Sequence, residues 1–150
     1  MRNSGKIILL FLLFCVPCRA QIINLDVPEF LAQIARTPNA QILDLRTPED
    51  YQHKHIPDAV NIEPTQFDFL SDVKDQLGNS DTLFIYCRVG RPVGVDELLM
   101  QNGYKVVYNL KGGSLAWEEH QAQVAKDKQR IKEHKKPKKR RVRELYIGTC

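Results

Sequence analysis

Between Gln21 and Ala125 short apolar runs alternate with segments of helical period, and that alternation constrains the fold more than any other feature of the chain. Gln21 to Leu25 is a short, β-leaning start. After Val27-Pro28-Glu29, the apolar residues Phe30, Leu31 and Ile34 fall on one helical face, which ends before Pro38. QILDL at 41–45 suits a buried strand that carries one acid. Thr47-Pro48-Glu49-Asp50 places proline at the first helical position and acids in the first turn, as a helix N-terminus requires. Ala59 to Ile62 reads as another strand, and Phe67 to Leu77 as an amphipathic helix closing at Gly78. TLFIY at 82–86 is the clearest strand, and it runs directly into Cys87. A helix from about Val93 to Gln101 follows, with Gly103 as its C-cap. Lys105 to Leu110 is a last strand, and Gly112-Gly113 leads into a helix around Trp117. Short strands alternating with helices predict an α/β fold with a parallel sheet and right-handed crossovers. Ligands of such sheets sit at the carboxyl ends of strands, where Cys87 lies.

Charge divides the chain into three parts. Residues 1–20 carry Arg2, Lys6 and Arg19; residues 21–125 hold 15 Asp/Glu against 8 Lys/Arg; residues 126–150 hold 11 Lys/Arg against 3 Asp/Glu. The first part has a cationic start, an unbroken apolar run from Ile7 to Val16, then Pro17 and the small residues Cys18 and Ala20. Ten apolar residues are too few to span a bilayer as a helix, which needs about 20. The pattern is that of a secretory signal cleaved after Ala20, and it predicts a periplasmic or secreted protein with no transmembrane span after cleavage. Cys15 and Cys18 would leave with the signal. Cys87 and Cys150 then remain, which is no disulfide scaffold, and no Cys/His spacing suits zinc. No metal or cofactor is expected.

The segment Cys87-Arg88-Val89-Gly90-Arg91-Pro92-Val93 forms a tight loop between strand and helix. Successive N–H groups and the following helix N-terminus make an anion-binding nest there, and Arg88 and Arg91 add positive charge. That field favours a nucleophilic thiolate at Cys87. The same position equally suits a small buried cysteine at a strand end.

Around this loop the chain resembles the rhodanese-like sulfurtransferase family over roughly Ile23 to His120. The resemblance rests on Asp44-Leu45-Arg46, Glu49-x-Tyr51, and His55-Ile56-Pro57-Asp58-Ala59-Val60-Asn61-Ile62. It continues through Ile85-Tyr86-Cys87-Arg88-x-Gly90, Gly103-Tyr104, and Leu110-x-Gly112-Gly113 with Trp117. It implies a three-layer fold, a five-stranded parallel sheet flanked by helices, with the active-site loop after the fourth strand. It also implies that Cys87 takes sulfane sulfur from thiosulfate or a persulfide donor and passes it to a thiophilic acceptor. Arg88, Val89, Gly90, Arg91, Pro92 and Val93 would then line the substrate. One departure stands out: family loops commonly run Cys-x-x-Gly-x-Arg-Ser/Thr, and Pro92 and Val93 occupy the last two positions. Proline also removes an N–H. The alternative is therefore a rhodanese-fold binding or redox-sensing module with impaired catalysis. Phosphoryl chemistry of the related Cys-x5-Arg loops would need arginine at position 93, and Val93 stands there.

Asp44, Arg46, Glu49 and Asp58 are expected either to form a structural ion-pair network near the site or to be exposed charges, His55 to fix a turn, Gly112 and Gly113 to take positive φ, and Trp117 to pack in the core. The basic segment 126–150 reads as a solvated tail, whose functional options are an anionic surface or an acidic protein. Nucleic acid is poorly matched to export. Small sulfur-containing anions and thiols are the expected partners of the site.

Overall fold

The computed structural model describes residues 21–78 and 81–135, so the stretch read as a secretory signal, residues 1–20, and the last fifteen residues, Cys150 included, lie outside the described residues. Five parallel strands, β1 (Gln21–Leu25), β2 (Ile42–Asp44), β3 (Ala59–Asn61), β4 (Thr82–Tyr86) and β5 (Val106–Leu110), form one sheet in the order β1-β5-β4-β2-β3. Five helices join them: α1 (Val27–Arg36), α2 (Pro48–His53), α3 (Phe69–Leu77), α4 (Val95–Gln101) and α5 (Gly113–Lys135). The expected three-layer α/β architecture is present.

Strand β4 sits at the centre of the sheet, hydrogen-bonded to β2 and β5, and Leu83 through Tyr86 are all fully buried. A run without polar alternation suits this position, because both faces are covered. Leu83 and Ile85 pack with Leu43, Val73, Leu99 and Val107 under α3 and α4. Phe84 and Tyr86 pack with Phe30, Ile42, Leu110 and Trp117 under α1 and α5. Trp117 is core, as expected.

Local chemistry sets most element ends. Thr47 caps α2 by accepting a hydrogen bond from the Asp50 N–H through its hydroxyl, with Pro48 in the first turn. Gly78 terminates α3 at φ +68°. Three expectations are corrected. α3 begins at Phe69, so Phe67 lies before the helix and is fully exposed. α4 begins at Val95 and is capped by Asn102, with Gly103 just beyond it. α5 continues ten residues past Ala125, where the sequence suggested a tail begins; three side-chain pairs along it, Gln123–Asp127, Gln129–Glu133 and Arg130–Asp127, support an otherwise polar helix.

Candidate active site

The carboxyl end of β2 carries a sealed polar cluster. The Arg46 guanidinium donates to both oxygens of Asp44, at 2.6–3.1 Å, and to the Lys54 carbonyl at 2.7 Å. Burial opposes the charge on Arg46, but the hydrogen bond and attraction from Asp44 more than offset it, leaving its pKa raised. The Tyr86 hydroxyl accepts from the Ile56 N–H at 3.1 Å and also bonds Asp44. Burial first, and then that bond to Asp44, push the Tyr86 hydroxyl well above the ordinary tyrosine range. Asn61 completes the cluster by donating to the Asp44 and Arg46 carbonyls. Glu49 and Asp58 take no part: both are exposed, and Asp58 instead occupies a turn at φ +64°. Of the two readings of these four residues, the network holds for Asp44 and Arg46, with tyrosine and asparagine partners, and exposed charge holds for Glu49 and Asp58. His55 fixes its turn as expected, through Nδ1 on the Tyr51 carbonyl at 2.9 Å and by stacking on the Tyr51 ring.

One strand away, Cys87 emerges half-buried from β4, its inner side against the core under α3 and α4. The Arg91 N–H donates to Cys87 Sγ at 3.2 Å. Among the described residues no acceptor meets the N–H groups of Arg88, Val89 and Gly90. Pro92 follows these four groups, so its missing N–H falls outside them; the Val93 N–H is turned back to the Arg91 carbonyl at 2.9 Å. The buried Pro92 ring and exposed Val93 form the far shoulder of the loop.

Glycine is required twice in this loop's support. A Cβ on Gly90 (φ +74°) would lie 2.5–2.9 Å from the backbone of Leu110, Gly112 and Gly113. One on Gly113 (φ +61°) would lie 2.2 Å from the Cys87 carbonyl. This close approach lets the Ser114 N–H donate to the Cys87 carbonyl and the Leu115 N–H to the Arg88 carbonyl. Asn109 holds the other side, donating through Nδ2 to the Gly90 carbonyl and to Asn24 Oδ1. Sequence reading missed the Asn24–Asn109 pair; the available signal was an asparagine inside each of two strands that otherwise read as apolar.

Neither arginine of the loop directs its side chain at the sulfur. Arg91 is exposed, and only its backbone serves Cys87. Arg88 reaches Asp50 at 3.1 Å across the mouth of a cavity of about 350 Å³, lined also by Arg46, Lys54, Ser114 and Glu118. A second depression, about 270 Å³, borders the loop on the side of Arg91, Pro92, Val93 and Asn109. Val89 is exposed.

A parallel sheet in this order, with a half-buried cysteine closing its fourth strand under a cradle of backbone N–H groups, defines a rhodanese-type domain. The family model described as "Rhodanese-like domain" matches residues 27–120, and the chain belongs to that family. It is 31% identical over 98 residues to a sulfurtransferase of Allochromatium vinosum, covering 65% of this chain and 89% of the relative. It is 36% identical over 76 residues to the thiosulfate sulfurtransferase PspE of Escherichia coli, covering 47% and 67%. Among solved structures, a rhodanese-like domain protein from Staphylococcus aureus superposes with a TM-score of 0.52 at 29% identity, over 63% of this chain and 90% of that one.

Proposed function

We propose that this protein is a sulfurtransferase that carries sulfane sulfur as a persulfide on Cys87. The observation that supports this reading most directly is the meeting of Sγ with the Arg91 N–H at the mouth of a loop whose preceding three N–H groups hold no acceptor. An N–H on sulfur stabilises the negative charge of a thiolate, and the remaining donors suit the anions formed next.

In the first half-reaction the Cys87 thiolate attacks the outer sulfur of thiosulfate. The Cys87–sulfur bond forms, the thiosulfate S–S bond breaks, and sulfite leaves with the bonding pair. In the second, a thiolate or cyanide attacks the terminal persulfide sulfur, and Cys87 leaves as the thiolate. Charge balances in both steps, and no outside oxidant or reductant enters. Relatives named as sulfurtransferases, one of them a thiosulfate sulfurtransferase, support the same reading.

The reading is tested by thiosulfate:cyanide turnover. Wild type should release thiocyanate and sulfite in equal amounts, and Cys87→Ser should release neither, because a serine hydroxyl cannot carry sulfane sulfur. Full turnover by Cys87→Ser would overturn it. A binding or redox-sensing module is the second reading, favoured by the absence of any arginine side chain at Sγ and by Val93 at the usual hydroxyl position. It predicts no turnover in the wild type, and gain of turnover when Pro92→Arg is combined with Val93→Ser. The pattern of residues 1–20 supports an exported protein, which N-terminal sequencing tests by a start at Gln21.

A further inference from the structure

Asn109 is a polar residue enclosed in the core side of β5, 2% exposed, with Val107 and Leu110 fully buried on either side of it. Its amide nitrogen uses both hydrogens, one on Asn24 Oδ1 at 2.6 Å and one on the Gly90 carbonyl at 3.0 Å. The Gly90 carbonyl only accepts, so the amide must present its nitrogen to the loop. Asn24 lies directly opposite on β1 and takes the second hydrogen. Asn109 Oδ1 is left buried and meets no donor among the described residues. An unmet buried acceptor is a cost that an apolar side chain would not carry, so the contribution of asparagine here lies in its Nδ2.

The Gly90 carbonyl and the Arg91 N–H belong to one peptide unit, and in a trans peptide they point in opposite directions. Asn109 grips the oxygen, and on the far side the Arg91 nitrogen lies 3.2 Å from Cys87 Sγ. We propose that Asn109 is a positioning residue: by holding the Gly90 carbonyl it aims the Arg91 N–H at the sulfur and so favours the Cys87 thiolate. Glycine at position 90 makes this restraint necessary. The close approach of Leu110, Gly112 and Gly113 demands glycine there, at φ +74°. A residue without Cβ offers little resistance of its own to rotation of the peptide that follows it. The rotated peptide would turn its carbonyl oxygen toward Sγ, and that end of the dipole opposes a thiolate. Asn109 excludes this state. Asn24 acts one step further out, fixing the amide that fixes the peptide. The inference rests on reading Cys87 as the nucleophile, and it needs no arginine side chain at the sulfur.

The test is the pH profile of Cys87 alkylation by iodoacetamide in the full chain, read by peptide mapping so that other cysteines do not contribute. The thiolate is the reacting form. Asn109→Leu removes the grip with a side chain of similar size. Its alkylation rate at pH 7 should fall about tenfold below wild type, as loss of one hydrogen bond to a charged group implies. By about pH 10, where the thiol is ionised in both proteins, the two rates should meet. Asn24→Ala, at an exposed position, should move the profile in the same direction by a smaller factor, about threefold. The charged groups bordering the loop, Arg88 with Asp50, Arg91, Asp96 and Glu118, are the same in both variants, so the shift reports the N–H. Urea unfolding establishes that each variant is folded. An unchanged profile in folded Asn109→Leu, or an equal loss of rate at every pH, overturns the inference. If Asn109→Leu does not fold, an unchanged profile in Asn24→Ala overturns it. Alkylation needs no sulfur donor, so a wild type that releases no thiocyanate would end the sulfurtransferase reading without deciding this one.

Discussion

Arg46 and Arg88 line the same cavity beside the Cys87 loop, and each is paired with one aspartate. The Arg46 and Asp44 side chains are 4% and 0% exposed; those of Arg88 and Asp50 are 65% and 35% exposed. A charge sealed from water is stable only while its partner remains, so the first pair locks the ends of β2, β3 and β4 in place. An exposed pair contributes little and can be exchanged for another anion at small cost. Arg46 thus belongs to the frame, and Arg88 is the exposed cation of the loop, held only by a pair that another anion can replace; under the proposed function that anion is thiosulfate.

Arg46→Ala should have the largest effect on stability. It strands the Asp44 carboxylate and removes a donor from the Lys54 carbonyl, costing ~3–5 kcal/mol in urea unfolding. A loss below ~1 kcal/mol would break the contrast, since that is the range of exposed pairs. Tyr86→Phe comes next, at ~1–3 kcal/mol, because the buried Ile56 N–H loses its acceptor. It also carries a pH signature. The folded pKa of Tyr86 is raised, so its contribution to stability is complete below the free tyrosine value near pH 10 and is lost as pH rises from there toward the folded pKa. Tyr86→Phe should flatten the alkaline fall in stability, measured by unfolding above about pH 10; the share due to buried Tyr104, whose hydroxyl is raised by burial, remains. Arg88→Ala should be smallest in stability, within about 1 kcal/mol. Its effect belongs in the KM for thiosulfate, which should rise and lose part of its salt dependence. An unchanged KM would place Arg88 with surface charge instead.

The sequence made some of these regions far more legible than others. TLFIY reads as a central strand because nothing polar interrupts it, and Cys87 follows without a residue between. Thr47-Pro48 and Gly78 announce helix ends through local chemistry, which needs no tertiary partner. The charged positions were harder. Asp44, Arg46, Glu49 and Asp58 look equivalent along the chain, and only pairing of β2 with β3 and β4 selects which two are enclosed. Arg91 misled for a related reason: its side chain carries the charge, yet its N–H is the group that meets the sulfur. The part of α5 past Asp127 has no apolar period to detect, since Lys128 to Lys135 are all exposed; its continuity rests on the lack of glycine and proline from Ser114 to Lys135 and on local pairs.

The measurement that bears most directly on Cys87 is peptide mapping by mass spectrometry after brief thiosulfate treatment of the non-reduced protein. One added sulfur should appear on the peptide that contains Cys87, disappear on addition of cyanide, and be absent from Cys87→Ser. Sulfur found on Cys150 alone, or on neither cysteine, would contradict the assignment of Cys87 as the carrier.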